Sequence, residues 1–378
     1  MIARIVLSLL ILLSASFAAE AERARDIGVP FEGTPGPLNA ITDIKGVEVG
    51  QVTLIKGKDV RTGVTVIFPR GRANATPVYG GTFDLNGNGE MTGQAYLQDF
   101  GVVHGPIGIT NTNAIGDVYA GIQRWSQKQF GEATWPVIAE TWDGTLNDLP
   151  GFHVTPETAI EAANAAKTGP VDEGNVGGGT GMICFGFKGG IGTASRTITL
   201  QGKGYTVGVL VQCNTGDRKV LRIAGAPVGA ELAHKYLPCE GGKCASEPQP
   251  DQGSIIIVVG TDAPLIPTQL DRLAKRAAMG LARLGSYSGN DSGDLIVSFS
   301  TGTTNANNPD QTAPVPVAAL ANHGIDPLFE AAVQATEEAI TNALVSAKTM
   351  TGVNGSRVFA LPHDELRAIL KKYNRLAN

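Results

Sequence analysis

A serine opens a buried strand at position 254. The stretch Glu247-Pro-Gln-Pro-Asp-Gln-Gly-Ser254-Ile-Ile-Ile-Val-Val-Gly260 changes character at Gly253-Ser254. Its first half has two prolines, acids and amides with nothing to bury, and reads as an exposed, extended linker. Its second half is a continuous β-branched run, the pattern of a strand covered on both faces. A serine on such a seam is placed for the chain to cut itself and leave Ser254 as a new N-terminus. The freed α-amine, titrating at about 7.7–8.0, would lie beside the hydroxyl as a built-in base, one recognised way to activate a hydroxyl nucleophile. Gly253 suits the cut, because a missing Cβ lets the hydroxyl reach the preceding carbonyl. A plain loop entering a strand has the same composition, so this stretch alone fits both readings.

Other chemistries are excluded on detail. The glycine-dense run Gly177-Gly-Gly-Thr180 through Lys188-Gly-Gly190 lacks the glycine-lysine pair and following Ser or Thr of a phosphate loop. It also lacks the flanking strand and helix of a dinucleotide fingerprint, so it reads as a loop packed closely on other backbone or shaping a pocket. His104, His153, His234, His323 and His363 are scattered with no HExxH pattern, and no G-x-S-x-G elbow is present. The sequence therefore predicts no metal and no cofactor. Cys239-Glu-Gly-Gly-Lys-Cys244 is a short glycine loop that could close on itself as a disulfide. Cys184 and Cys213 lie in strand-like runs and could pair, or serve as small buried hydrophobes. A zinc site is disfavoured, since no histidine sits near either pair.

The elements that must position these groups alternate in type. Ala40–Ile44, Val47–Ile55 and Gly63–Phe68 read as strands, Gly80–Gly93 as a polar glycine loop, and Val102–Thr110 as a strand ending in the turn Asn111-Thr112-Asn113. Ile115–Phe130 reads as a helix and Pro136–Glu140 as a short strand. Thr155-Pro156-Glu157 opens a helix running to about Lys167, with Thr as cap and Pro at the first helical position. Thr193–Leu200 and Tyr205–Cys213 suggest a hairpin, and Val228–Tyr236 a weak helix. Beyond Ser254, a capping box of Thr268 and Asp271 opens a helix with Leu270, Leu273, Ala277, Leu281 and Leu284 on one face and Gly285 at its end. The loop Ser286–Asp294 leads into a strand, Leu295–Ser300. Helices from Asp326-Pro327 to about Ala347 and from about Pro362 to Tyr373 complete a mixed α and β chain with no internal repeat.

The chain starts with Arg4, an apolar run from Ile5 to Leu13 and small residues through Ala21, the form of a secretory signal peptide. Its removal takes one charge of each sign and leaves the net charge at −5. No basic run survives and no later segment is long and apolar enough to span a membrane. Nucleic acid and membrane are therefore not expected as partners. The expected organisation is a leader over residues 1–21, a first chain over 22–253 ending in an exposed processing linker (239–253), and a second over 254–378. Both chains would belong to one domain in the periplasm or outside the cell.

These residues resemble the β-peptidyl aminopeptidases and the related L-aminopeptidase/D-alanine esterase-amidase family. The resemblance runs from about Arg25 to the last helix. It is carried by Gly33-Thr-Pro-Gly36, Ala40-Ile-Thr-Asp-Ile-Lys-Gly-Val-Glu-Val-Gly50, Gly63-Val-Thr-Val, Gly89-Glu-Met-Thr-Gly93, Val176-Gly-Gly-Gly-Thr-Gly-Met182, Gly186-Phe-Lys-Gly-Gly-Ile-Gly-Thr193 and Gly253-Ser254-Ile-Ile. It implies an α+β, four-layer αββα sandwich like that of N-terminal-nucleophile hydrolases but with different connectivity. It also implies self-cleavage before a serine and an assembly of several αβ units. By position, Ser254 is the implied nucleophile. Ser292, Gly293 and Asp294 match the family's Ser-Gly-acid group, in which the second serine contacts the nucleophile, the glycine N–H can face the oxyanion and the carboxylate orients the set; the sequence leaves open whether the Ser254 amine or Ser292 relays the nucleophile's proton. Asn214 matches the oxyanion-stabilising Asn, and Glu140 the carboxylate that receives the substrate's amine, with Trp142 nearby where a Tyr is common. Thr215 stands where an aromatic is frequent, and Cys184 and Cys213 where small residues are usual.

The reading that results is an exported, self-processing serine aminopeptidase that releases N-terminal residues, β-amino acids foremost, from short peptides, amides or esters with a free amine. Its rivals are an L-aminopeptidase, D-alanine esterase/amidase or oligoamide hydrolase of the same family. Further off lie an acyltransferase on the same scaffold, disfavoured by the leader and by serine in place of threonine, and a periplasmic binding protein that stays one intact chain.

Overall fold

The computed structural model describes residues 22–250, 253–303 and 312–377; the leader lies outside the described residues. Two sheets lie face to face between two layers of helices. The first has four strands in the order Glu48–Lys56, Val60–Phe68, Ile107–Asn111, Val137–Thr141. The second has six, in the order Val102–Val103, Val78–Gly87, Gly293–Ser300, Ser254–Thr261, Lys203–Asn214, Gly190–Leu200. Helices Ile115–Phe130 and Pro156–Ala165 cover the outer face of the four-stranded sheet, while Pro267–Arg283 and Asp326–Val345 cover that of the six-stranded one. This is the αββα sandwich that the resemblance implied.

Alternation along the strands builds the layers. On the strand opened by Ser254, Ile255, Ile257 and Val259 enter the core under the helices. Ile256 and Val258 enter the core between the sheets, with Ile67, Ile109, Ala139, Leu210 and Val297. All eight residues of this strand are buried, as its unbroken apolar run requires. Ser254 has the parity of Ile256, so its hydroxyl belongs to the space between the sheets.

Several expectations are corrected. Ala40–Ile44 is not a strand. Asp43 accepts the N–H groups of Leu38 and Ala40 and winds Ile41–Asp43 into a 3-10 turn. The polar loop read over Gly80–Gly93 is for most of its length a strand, Val78–Gly87, antiparallel to Gly293–Ser300. Its glycines serve packing: a Cβ on Gly81 would stand 2.4 Å from the Asp271 nitrogen in the covering helix. The single strand expected over Val102–Thr110 breaks at His104-Gly-Pro106, where Gly105 takes a positive φ and Pro106 lacks an N–H. Thr268 does not cap its helix. Ile266 holds that place, Pro267 is the first helical residue, and the Gln269 side chain accepts the Ile266 N–H. Asp271 instead accepts the Thr82 N–H of the neighbouring strand. The helix expected over Val228–Tyr236 stops after Val228–Glu231.

The segment 239–253 is only partly an exposed linker. Cys239 is buried, and Cys239–Glu240 pairs with Lys243–Cys244 and with Arg357–Val358 in a small outlying sheet. Glu247, Gln249 and Pro250 are exposed, as expected. Both cysteine pairs are disulfides, Cys239–Cys244 and Cys184–Cys213.

Candidate active site

Strand register brings the central residues together. Ser254 stands opposite Asn214 in the antiparallel pair with Lys203–Asn214, and beside Gly293 in the parallel pair with Gly293–Ser300. Three neighbouring strands thus contribute one row at one end of the sheet. The Gly293 N–H donates to Ser254 Oγ at 3.1 Å. The bond preceding Ser254 is tightly enclosed, since a Cβ on Gly253 would fall 1.8 Å from the Asn214 carbonyl oxygen. Only glycine fits there.

Asn214 is held at both ends of its amide. Its Oδ1 accepts the Ile183 N–H at 2.7 Å, and its Nδ2 donates to the Trp142 carbonyl at 3.0 Å. One partner that only donates and one that only accepts fix which way the amide points. Asn214 and Ser254 are directly opposite on neighbouring strands, so their side chains share one face of the sheet, and Nδ2 has a second N–H beyond the one given to Trp142. The backbone of Trp142 does this work, while its indole is half exposed and lines a cavity of about 240 Å³ with Ile183, Asn214, Leu237, Pro250 and Gly253.

Behind the row, Asp294 is fully buried. It accepts Ser292 Oγ at 2.7 Å and Ser288 Oγ at close range. The Ser292 hydroxyl therefore turns to Asp294, with Thr215 Oγ1 at 3.2 Å, and not to Ser254. Of the expected Ser-Gly-acid group, the glycine N–H is the part that touches the Ser254 hydroxyl.

Glu140 is the last but one residue of the short strand Val137–Thr141 in the other sheet and is 4% exposed. Its carboxylate accepts the Glu90 N–H at 3.1 Å and the Thr112 hydroxyl. Burial pushes its pKa above the usual glutamate value, while the hydrogen bonds from Thr112 and Glu90 pull the other way. It makes no direct contact with Ser254. Gly89 lies between, close to both the Glu140 carboxylate and Gly293.

Other groups at the site escaped the sequence reading. Asn86 Nδ2 donates to the carbonyls of Gly289 and Ser292, and Asn88 Nδ2 to that of Asp291, fastening the loop that delivers Gly293. The alternation of Thr82, Asp84, Asn86 and Asn88 was the signal for a half-polar strand. Nothing in the sequence pointed to Ser288, Thr112 or the Ile183 N–H, which act through tertiary contacts.

A model described as peptidase family S58 matches residues 39–358. The chain belongs to peptidase family S58. It is 54% identical, over 97% of its length and 96% of the relative's, to a beta-peptidyl aminopeptidase, BapA, of Sphingosinicella microcystinivorans. Among solved structures it resembles the L-aminopeptidase D-Ala-esterase/amidase of Ochrobactrum anthropi, with a TM-score of 0.87 and 42% identity. That match covers 94% of this chain and 99% of the other, which is described as a prototype for the serine aminopeptidases and a new variant among the Ntn hydrolase fold. A Burkholderia sp. beta-aminopeptidase matches with a TM-score of 0.84 and 44% identity, over 93% and 99% of the two chains. This S58 member is accordingly a hydrolase, a serine aminopeptidase on a variant N-terminal-nucleophile fold.

Proposed function

We propose that the protein cuts itself between Gly253 and Ser254 and then works as an aminopeptidase on short peptides, amides or esters with a free N-terminal amine. β-Amino N-termini are the preferred class, in keeping with the 54% identity to a beta-peptidyl aminopeptidase. The observation that carries this reading is the row Asn214, Ser254, Gly293, with a hydroxyl held by an N–H on the first residue of a buried strand.

In the cut, Ser254 Oγ attacks the Gly253 carbonyl carbon. The C–N bond breaks, the proton from Oγ passes to the departing nitrogen, and an ester links Gly253 to Oγ. Water hydrolyses the ester, leaving a carboxylate on Gly253 and an amine on Ser254. In turnover that amine takes the Oγ proton as Oγ attacks the substrate carbonyl and hands it to the departing amine or alcohol as that bond breaks; water then hydrolyses the ester on Oγ, freeing the acid and restoring the hydroxyl. The second Nδ2 hydrogen of Asn214 meets the developing oxyanion, a contribution of roughly 3–4 kcal/mol for a preorganised donor. The Gly293 N–H holds Oγ in line, and Asp294 with Ser292 and Ser288 fixes the turn that presents it. Glu140 receives the substrate's ammonium, with Trp142 forming the wall beside it.

The proposal includes export after loss of residues 1–21, action in the periplasm or outside the cell, and an assembly of several αβ units. The mass spectrum of the purified protein tests the core of it. Two species, about 22–253 and 254–378, are expected, and a single intact chain in an active preparation would sink the reading. Parallel assays on β-homoamino, L-amino and D-alanyl amides separate a β-peptidase from its sister activities.

A further inference from the structure

Two buried cations flank Asn214 and have no role in the chemistry above. Lys188 is fully buried, and its Nζ donates to the carbonyls of Met182 at 2.7 Å, Gly189 at 2.8 Å and Gly179 at 3.3 Å. Arg218 is buried as well. It donates to the carbonyls of Phe185 and Gly186, and its guanidinium stacks on the Phe187 ring at 3.3 Å. Among the described residues neither forms an ion pair with a carboxylate, although Asp143 acts on Lys188 from beyond contact.

Both cations clamp the same object. Ile183–Cys184 pairs with Phe187–Lys188 in a six-residue hairpin whose turn, Phe185-Gly186, has positive φ at both residues. That is the form of a two-residue primed turn. Arg218 grips the tip and Lys188 the base, where the Gly189 N–H also returns to the Met182 carbonyl. The Cys184–Cys213 disulfide ties the hairpin's flank to the residue before Asn214. The bond this hairpin delivers to the site is the Ile183 N–H on Asn214 Oδ1.

We propose that Lys188 is a positioning residue for the reaction, holding the hairpin so that Ile183 aims the Asn214 amide at the acyl carbonyl on Ser254. The inference rests on the oxyanion assignment proposed for Asn214. An unpaired ammonium is costly to bury, and desolvation pushes Lys188 down to about 7. A hairpin that needed only to be packed would be served by an apolar residue of similar length. Three carbonyls turned onto one charge fix the backbone from Gly179 to Gly189, and a misplacement of about 1 Å at a reacting group can lower a rate about 100-fold.

The test is a double-mutant cycle of Lys188→Met and Asn214→Ala, with kcat and KM measured on the cut fraction of each protein. Lys188→Met is expected to lower kcat by roughly 10–100-fold with KM within about twofold. Adding it to Asn214→Ala should change kcat little further, because both act on the same amide. Lys188→Gln, which keeps two of the three donors, should fall between wild type and Lys188→Met. Wild-type kcat in Lys188→Met overturns the inference, and so does a full additional loss in the double mutant. If Asn214→Ala keeps wild-type kcat, the oxyanion assignment itself has failed and the inference falls with it. If neither Lys188 variant yields folded, cut protein, the lysine serves the fold rather than the amide, which also overturns the inference.

Discussion

The space around Ser254 has two walls built on different principles. One is the row of strand ends, Asn214, Ser254 and Gly293, placed by β-ladder register and held by main-chain contacts. The other is assembled from side chains and loops: Glu140 under Thr112 and Glu90, Trp142, and the Ile183–Lys188 hairpin with its buried cations. A ladder fixes every residue at once, so the first wall has almost no freedom. The second depends on individual buried charges, each of which a single substitution removes.

Substitutions on the first wall should therefore strike cutting and turnover together. Ser254→Ala is expected to leave one uncut chain with no turnover, read by mass and by activity. Gly293→Ala puts a Cβ 2.3 Å from the Asn88 carbonyl oxygen and 3.0 Å from Ser254 Oγ. Displacing its N–H should slow both cutting and turnover by about 100-fold, the scale of losing one preorganised donor. A fully cut, fully active Gly293→Ala enzyme would dissolve the contrast between the walls.

On the second wall the effects should be graded and selective. Glu140→Gln should lower kcat/KM for free-amine substrates by roughly 30-fold or more, since removing one partner of a desolvated charge pair costs about 2–5 kcal/mol. Wild type should leave N-acetylated substrates nearly untouched. Self-cleavage should survive the mutation, because the uncut chain offers no free amine at Ser254. Equal loss of cutting and turnover would place Glu140 with the first wall.

The same carboxylate sets a pH limit. In the role proposed for Glu140 the ionised carboxylate binds the ammonium, and burial raises its pKa above the usual 4.5. As pH falls through that raised value, kcat/KM should drop, at a higher pH than an ordinary glutamate would give. In Glu140→Gln this acid limb should vanish, and a limb that stays in place assigns it to another group.

The disulfides sharpen the comparison at its smallest scale. Cys184–Cys213 is buried beside Asn214 and closes 29 residues, for which loop-closure entropy gives about 3–4 kcal/mol. Cys239–Cys244 closes 5, with Cys244 exposed, and should contribute about 2 kcal/mol or less. Mild reductant should open the exposed pair first and move Tm by a few degrees at most. Removing Cys184 and Cys213 together should lower Tm further and reduce kcat. Thiol mapping alongside thermal melts checks both.

The first wall was the legible one. A β-branched run after a proline-rich segment marks a buried strand start, so the place of Ser254 could be read directly, while its role, with Asn214, Gly293 and Asp294, came from the family resemblance. The helices at 156–165 and 326–345 were equally plain, each with a proline at its start. What failed were segments whose local composition contradicts their place. Gly80-Gly81 looks like a loop and lies in a strand of the six-stranded sheet, where a helix passes too close for side chains. The second wall was readable only by resemblance at Glu140 and Trp142. Lys188 and Arg218 could not be read at all, because a cation caged by carbonyls leaves no trace in charge patterning.

The antiparallel ladder from Asn214↔Ser254 to Val207↔Thr261 carries a consequence for molecularity. Once the chain is cut as proposed, one strand of that ladder belongs to each product, and two polypeptides share a single six-stranded sheet. Asn214 then reaches Ser254 from a different molecule. Unfolding becomes a dissociation, and recovery from denaturant becomes second order in protein, unlike the first-order refolding open to the uncut Ser254→Ala chain. Dilution during refolding should suppress the cut enzyme and spare the precursor, so the cut makes the active state one that is reached from the folded precursor and regained slowly once lost.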